Sequence, residues 1–273
     1  MATSDGGRRR DRIVTTSKRV VRAAKAGDEA RSGWLRRADG GFHPGVAWGI
    51  HALTASGVLC GMMGLISVLD GSARAALLWL MLAMVIDGVD GPMARAAAVR
   101  RLVPRVDGNT LDLVIDYVTC VVAPALFLRE FGMLPGWFML PGIGLILVSA
   151  LYAFARTDLL TDDAYFRGFP AMWNLVVNVA FVLAVSPAVM VAVVLVFSAL
   201  TVTSFKVPHP MRVVEHRQLT VAVLVVWLAA LVGLTVSYPT APLWARGLVL
   251  GGVAYLGWLS VRRSAGDLHH ASA

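Results

Sequence analysis

Eight apolar runs divide this sequence, near residues 46–69, 74–95, 109–128, 133–154, 169–186, 188–205, 219–236 and 242–261. A helix that crosses a bilayer takes about 20 apolar residues, because its backbone polar groups must be satisfied without water. Eight such runs in 273 residues leave no room for a water-soluble core. Composition agrees: 57% of the residues are hydrophobic and 15% charged, against about 45–50% and 25% in soluble domains. A soluble globular enzyme and a disordered chain are both excluded. The expected fold class is all-α, a polytopic transmembrane helical bundle of about eight spans. The two cysteines, Cys60 and Cys120, both fall inside apolar runs, so neither a disulfide framework nor a cysteine metal site can be built.

The basic residues set the expected topology. With the N-terminus in the cytoplasm, the inside segments 1–45, 95–108, 155–168, 206–218 and 262–273 hold 22 of the 25 Lys and Arg, and only Arg74, Arg129 and Arg246 lie outside. That asymmetry predicts both termini inside and an even number of spans; six result if one hairpin of the C-terminal half does not cross. The net charge of +8 is then a consequence of topology and does not imply nucleic acid as a partner. Three regions follow. Residues 1–44 form a basic cytoplasmic arm with eleven Lys/Arg and five Asp/Glu. The stretch Arg8–Arg37 suits an amphipathic helix on anionic lipid as well as it suits a disordered tail. Residues 45–262 are the transmembrane domain, and 263–273 a polar tail.

One region breaks the apolar pattern. It reads Ile86-Asp87-Gly88-Val89-Asp90-Gly91-Pro92-Met93-Ala94-Arg95, then twelve residues, then Gly108-Asn109-Thr110-Leu111-Asp112-Leu113-Val114-Ile115-Asp116. An unpaired Asp in a membrane helix costs about 2.5–3.5 kcal/mol, so four of them need compensation. Asp87 and Asp90 are i and i+3 on one helix face, which Gly91 and Ala94 extend; Asp112 and Asp116 are i and i+4 on the next helix. The two helices are joined at the cytoplasmic side, so both pairs can face each other there. Four carboxylates at one place repel unless cations fill the space. Hard oxygen donors select Mg2+, Mn2+ or Ca2+ rather than Zn2+, and four carboxylates balance two divalent ions. Two such ions about 4 Å apart suit a phosphoryl substitution. Gly91 and Gly108 leave room for a ligand, and Arg95 can bind phosphate. A divalent-cation transporter is the rival reading of these acids. It would place them midway through the membrane with a path to both faces, whereas these crowd the cytoplasmic end.

The pattern resembles the signature of the CDP-alcohol phosphotransferases, D-x-x-D-G-x-x-A-R, a spacer, then G-x-x-x-D-x-x-x-D. Every fixed position is present, as Asp87, Asp90, Gly91, Ala94, Arg95, Gly108, Asp112 and Asp116. Most members of that family have eight residues between Arg and Gly. The twelve found here, 96–107, are similar to the bacterial phosphatidylcholine synthase branch. His51–Gly57, Phe169–Asn174 and His209–Val213 look like other motifs of that branch, and the resemblance covers roughly residues 42–262. It implies transfer of the phosphatidyl group of CDP-diacylglycerol to choline, with release of CMP. It also implies two divalent cations, Mn2+ or Mg2+, held by Asp87, Asp90, Asp112 and Asp116, with Asp116 as the catalytic base. Asp90, Gly91, Ala94, Arg95 and Gly108 would line the CDP site. The implied setting is the bacterial inner membrane with a cytoplasmic active site, and relatives are commonly homodimers. A sister transferase acting on serine, glycerol phosphate or inositol phosphate would use the same motif, with Arg95, Arg100, Arg101 and Arg105 available for a phosphorylated acceptor.

Choline carries a quaternary ammonium, which aromatic faces bind. The expected contacts are Tyr117, Tyr165, Phe169 and Trp173, with Tyr152 and Phe166 also in the cytoplasmic half. Asn174 and Asn178, i and i+4 on the fifth run, are expected to bridge helices.

Overall fold

The computed structural model describes residues 41–161, 165–209, 217–240 and 242–271, with side chains through residue 265. Most of the basic N-terminal arm, including Arg8–Arg37, and the Arg212 loop position lie outside these residues.

The described chain is a series of helices in the order of the apolar runs. They are α1 (Pro44–Leu69), α2 (Ala73–Ala96), the short α3 (Val99–Leu102), α4 (Gly108–Glu130), α5 (Gly136–Ala155), α6 (Trp173–Val182), α7 (Pro187–Thr201), α8 (Arg217–Ser237) and α9 (Leu243–Ala271). Among the described residues, α1, α2, α4, α5 and α8 are long and apolar enough to cross a membrane, while α6 and α7 are shorter apolar helices. The protein is a polytopic helical membrane protein. Its fifth run differs from expectation. The helix begins only at Trp173, after an irregular Gly168–Met172 segment in which Gly168 has φ 86° and Ala171 φ 59°. The ten residues of α6 rise only about 15 Å, half the hydrocarbon thickness. None of them is exposed, Asn174 and Asn178 included. The C-terminal polar segment also continues as helix, through Ala271.

Two expected loops contain strand. β1 (Tyr165–Arg167) pairs antiparallel with β2 (Lys206–Pro208), Phe166 opposite Val207. Arg156 ties this sheet to α7: its Nη1 donates to the carbonyls of Arg167 at 3.0 Å and Thr201 at 3.3 Å. Gly168 is required beside it, because a Cβ there would stand 2.6 Å from the Thr201 carbonyl oxygen.

Contacts sort the chain into two compact units. In the unit Met1–Ala52 with Gly91–Asp107, Ala47 and Ile50 of α1 pack with Ala97, Val99 and Val103 around α3. In the unit Leu53–Asp90 with Gly108–Ala273, the largest core joins Phe127 and Leu128 of α4, Ile146 and Ala150 of α5, Trp173 and Val177 of α6, and Met190 and Val194 of α7. A second core joins Met81 and Val182 to Trp227 and Leu231 of α8 and Val249 of α9. Asn178, fully buried on α6, accepts a hydrogen bond from Thr235 Oγ1 of α8 at 2.9 Å, which gives it the bridging role expected. Asn174 instead accepts from the backbone N–H of Leu175.

Candidate active site

The acidic positions are carried by helices, so their spacing translates directly into direction. On α4 the residues Asp112, Ile115, Asp116 and Thr119 share one face. On α2 Asp87 and Asp90 are one turn apart. The fold brings α2 and α4 together so that Asp87, Asp112 and Asp116 each offer a carboxylate oxygen, and these three atoms lie within 4.8 Å of one another. All three residues are half-buried. Asp90 stands outside this trio, buried at 4% exposure.

Ionised carboxylates at such separations repel by about 3 kcal/mol per pair at an effective dielectric near 20. The trio therefore calls for a counter-cation. Its chemistry fits one: oxygens on opposite sides of a six-coordinate Mg2+, Mn2+ or Ca2+ are about 4–5 Å apart, and the donor set contains neither sulfur nor imidazole. The residues present thus suit a hard divalent ion.

The remaining motif positions are distributed over both units. Gly108 opens α4 one turn before Asp112. Gly91, Ala94 and Arg95 belong to the other unit. There Gly91 and Ala94 are half-buried and Arg95 is exposed. A Cβ at Gly91 would lie 3.3 Å from Nη1 of Arg95, so the missing side chain lets the guanidinium lie along the helix.

The four expected choline contacts have different surroundings. Tyr117 follows Asp116 directly and is half-buried; its hydroxyl donates to the Leu147 carbonyl at 3.3 Å and its ring meets Phe154 edge-on. Tyr165 lies on β1 under the guanidinium of Arg263, 5.8 Å from the ring centre. Phe169 precedes α6 rather than sharing its face with Trp173. The two rings meet edge-on at 5.3 Å and Phe169 meets Phe197 at 4.6 Å. Trp173 is fully buried, and this trio is core packing.

Sequence reasoning did not single out Gly61 and Thr119. A Cβ at Gly61 would stand 2.9 Å from Thr119 Cγ2, and one at Gly57 3.0 Å from Ile115 Cγ2. The small-x-x-x-small spacing of Gly57 and Gly61 was a visible signal of close helix packing, but it did not name the helix met. Arg156 donates to both carboxylate oxygens of Asp158, at 2.9 and 3.0 Å. Those bonds hold its carboxyl below the usual carboxylate range.

A membrane-embedded helical bundle that gathers acids from the D-x-x-D helix and the D-x-x-x-D helix defines a CDP-alcohol phosphotransferase. No family model matches the chain. Curated relatives do: phosphatidylcholine synthase of Pseudomonas aeruginosa is 43% identical over 219 residues, covering 80% of this chain and 92% of that protein. The phosphatidylcholine synthase of Rhizobium meliloti is 35% identical over 76% of this chain and 86% of its own. That of Borreliella burgdorferi is 35% identical over 66% and 77%. The chain belongs to the phosphatidylcholine synthase family.

Proposed function

We propose that this enzyme transfers the phosphatidyl group of CDP-diacylglycerol to choline, forming phosphatidylcholine and CMP. The observation that carries the reading is the convergence of Asp87 with Asp112 and Asp116, in a chain with 43% identity to a phosphatidylcholine synthase.

The reaction exchanges one phosphorus–oxygen bond for another. The choline hydroxyl oxygen bonds to the phosphorus that carries diacylglycerol, and the bond from that phosphorus to the oxygen bridging to CMP breaks. Asp116 takes the hydroxyl proton; the approach of its carboxylate to those of Asp87 and Asp112 within 4.8 Å supports this reading. Asp87, Asp90, Asp112 and Asp116 would hold two divalent cations, Mn2+ or Mg2+, as the signature implies. When bound, such ions neutralise the pyrophosphate oxygens and polarise the phosphorus under attack. Asp90, Gly91, Ala94, Arg95 and Gly108 bind the CDP moiety, the glycines by admitting it close to the backbone and Arg95 by pairing with phosphate. The residues thereby act by positioning and by general-base help.

The choline ammonium is assigned to the ring of the half-buried Tyr117. Tyr165, Phe169 and Trp173 were equal candidates by sequence, but their burial at 3%, 6% and 0% exposure favours packing. We place the site at the cytoplasmic face of the bacterial inner membrane, with both termini inside, from the distribution of Lys and Arg.

The test supplies the purified protein with CDP-diacylglycerol and Mn2+, and with labelled choline, serine, glycerol 3-phosphate or inositol phosphate in turn. Label should enter lipid from choline alone, with CMP released in equal amount. Label from another acceptor would make the protein a sister transferase. No labelled lipid, with Mn2+ entering vesicles that contain the protein, would make it a transporter.

A further inference from the structure

Immediately after Asp116, α4 departs from α-helical winding. Residues Tyr117–Val122 form a π turn, in which the Ala123 N–H bonds the Val118 carbonyl five residues back. Such a turn holds one residue more than an α turn. It rotates everything beyond it by about 100° relative to an unbroken helix. The first half of α4 carries Asp112 and Asp116; the second half carries Ala125, Phe127 and Leu128, all buried in the main core. In one continuous α-helix the core-facing and acid-facing stripes would be tied to a single phase. The extra residue separates them.

A separated phase has to be pinned on the acid side as well, and two contacts lie there. Thr119 is buried at 2% exposure within the π turn, and its hydroxyl donates to the Ile115 carbonyl at 3.1 Å. Its methyl occupies the space left by Gly61 of α1, where a Cβ would come within 2.9 Å. One turn earlier Ile115 sits over Gly57 in the same way. Ile115 and Thr119, i and i+4, stack along one flank of the stripe that carries Asp112 and Asp116, so α1 meets α4 beside the acids. Thr119 is β-branched and stiff at χ1, so a Cβ at position 61 moves the α4 backbone rather than a flexible side-chain tip.

We infer that Thr119, seated in the Gly61 gap, is a positioning residue that fixes the rotation of the acid-bearing half of α4 across the π turn, and so the approach of Asp112 and Asp116 to Asp87. The inference rests on the reading of these acids as metal ligands.

The test is direct Mn2+ binding to the purified protein, followed by the electron paramagnetic resonance signal of free Mn2+, with thermal unfolding in parallel. Gly61→Ala should weaken Mn2+ binding by about tenfold or more, the scale of a lost outer-shell support. Thr119→Ser removes the opposing methyl and keeps the hydroxyl, so the double variant G61A/T119S should bind as the wild type does. Gly64→Ala is the control. It places a Cβ 3.1 Å from Leu80 Cδ2, a milder crowding on the same helix, and should leave Mn2+ binding unchanged. Wild-type affinity in Gly61→Ala, or failure of Thr119→Ser to rescue it, overturns the inference. If Gly61→Ala does not fold, Thr119→Val decides. It keeps the shape and removes the bond to the Ile115 carbonyl; weaker Mn2+ binding supports the inference and unchanged binding refutes it. A wild-type chain that binds no Mn2+ would instead sink the metal-ligand reading itself.

Discussion

A carboxylate oxygen of Asp87 on α2 and one of Asp116 on α4 lie within 4.8 Å of each other. They sit on separate helices, so no local turn accounts for the approach, and their mutual repulsion opposes it. The packing of the helices brings the pair together, and the divalent cation proposed here would offset the repulsion. Asp116→Asn should therefore lower phosphatidyl transfer by about a thousandfold or more, within the range of a lost general base, while the protein still inserts and keeps its helix content. A purified variant turning over at near-normal rate would refute the assignment of the base.

Chelation addresses the same group from the other side. Treatment with EDTA should abolish transfer, and added Mn2+ or Mg2+ should restore it. Zn2+ should not, because three carboxylates offer the hard oxygen donors that the first two prefer. Full activity after exhaustive chelation, checked by elemental analysis for residual metal, would contradict the proposed mechanism.

Tyr117 and Trp173 should separate under mutation. Tyr117→Ala removes a half-buried ring beside Asp116 and should raise the KM for choline by about two- to thirtyfold, the worth of a cation–π contact. Tyr117→Phe keeps the ring, loses the bond to Leu147 and should leave that KM near wild type. Trp173→Ala empties a fully buried site and should cost about 3–5 kcal/mol of stability. Steady-state kinetics with varied choline, beside unfolding curves in detergent, distinguish the two effects. An unchanged KM in Tyr117→Ala would remove Tyr117 from the choline site.

The Arg156–Asp158 pair gives a pH dependence with a definite sign. Asp158 is held below its ordinary value by hydrogen bonds from Arg156. Its contribution is thus fully present above the unfolded carboxyl value of about 3.9 and is lost as pH falls through the depressed folded value. Asp158→Asn should melt at a lower temperature than wild type near neutral pH, and the gap should close at the acid end of that window. A gap that widened on acidification would reverse the assignment.

Much of this architecture was legible in the residues. The run at 74–95 corresponds to Ala73–Ala96 and that at 133–154 to Gly136–Ala155, because an uninterrupted apolar stretch in lipid has little choice but helix. The convergence of Asp87, Asp112 and Asp116 was legible from i, i+4 spacing on adjoining helices. The irregular stretch before Trp173 was not: hydropathy reports burial, and buried Phe169 and Ala171 look alike in a helix or out of one. Nor was the pairing of β1 with β2, which joins segments far apart in the chain through backbone bonds that leave no mark in three-residue strands. The π turn after Asp116 was hidden for a related reason, since Tyr117–Val122 is mostly apolar and an extra residue there changes phase without changing composition.

The absence of exposed residues from α6 carries a last consequence. A segment with no exposed residue is freer of the length that a bilayer imposes on its neighbours. Host membranes of unequal thickness should therefore demand adjustment of the peripheral helices while leaving this central strut as it stands.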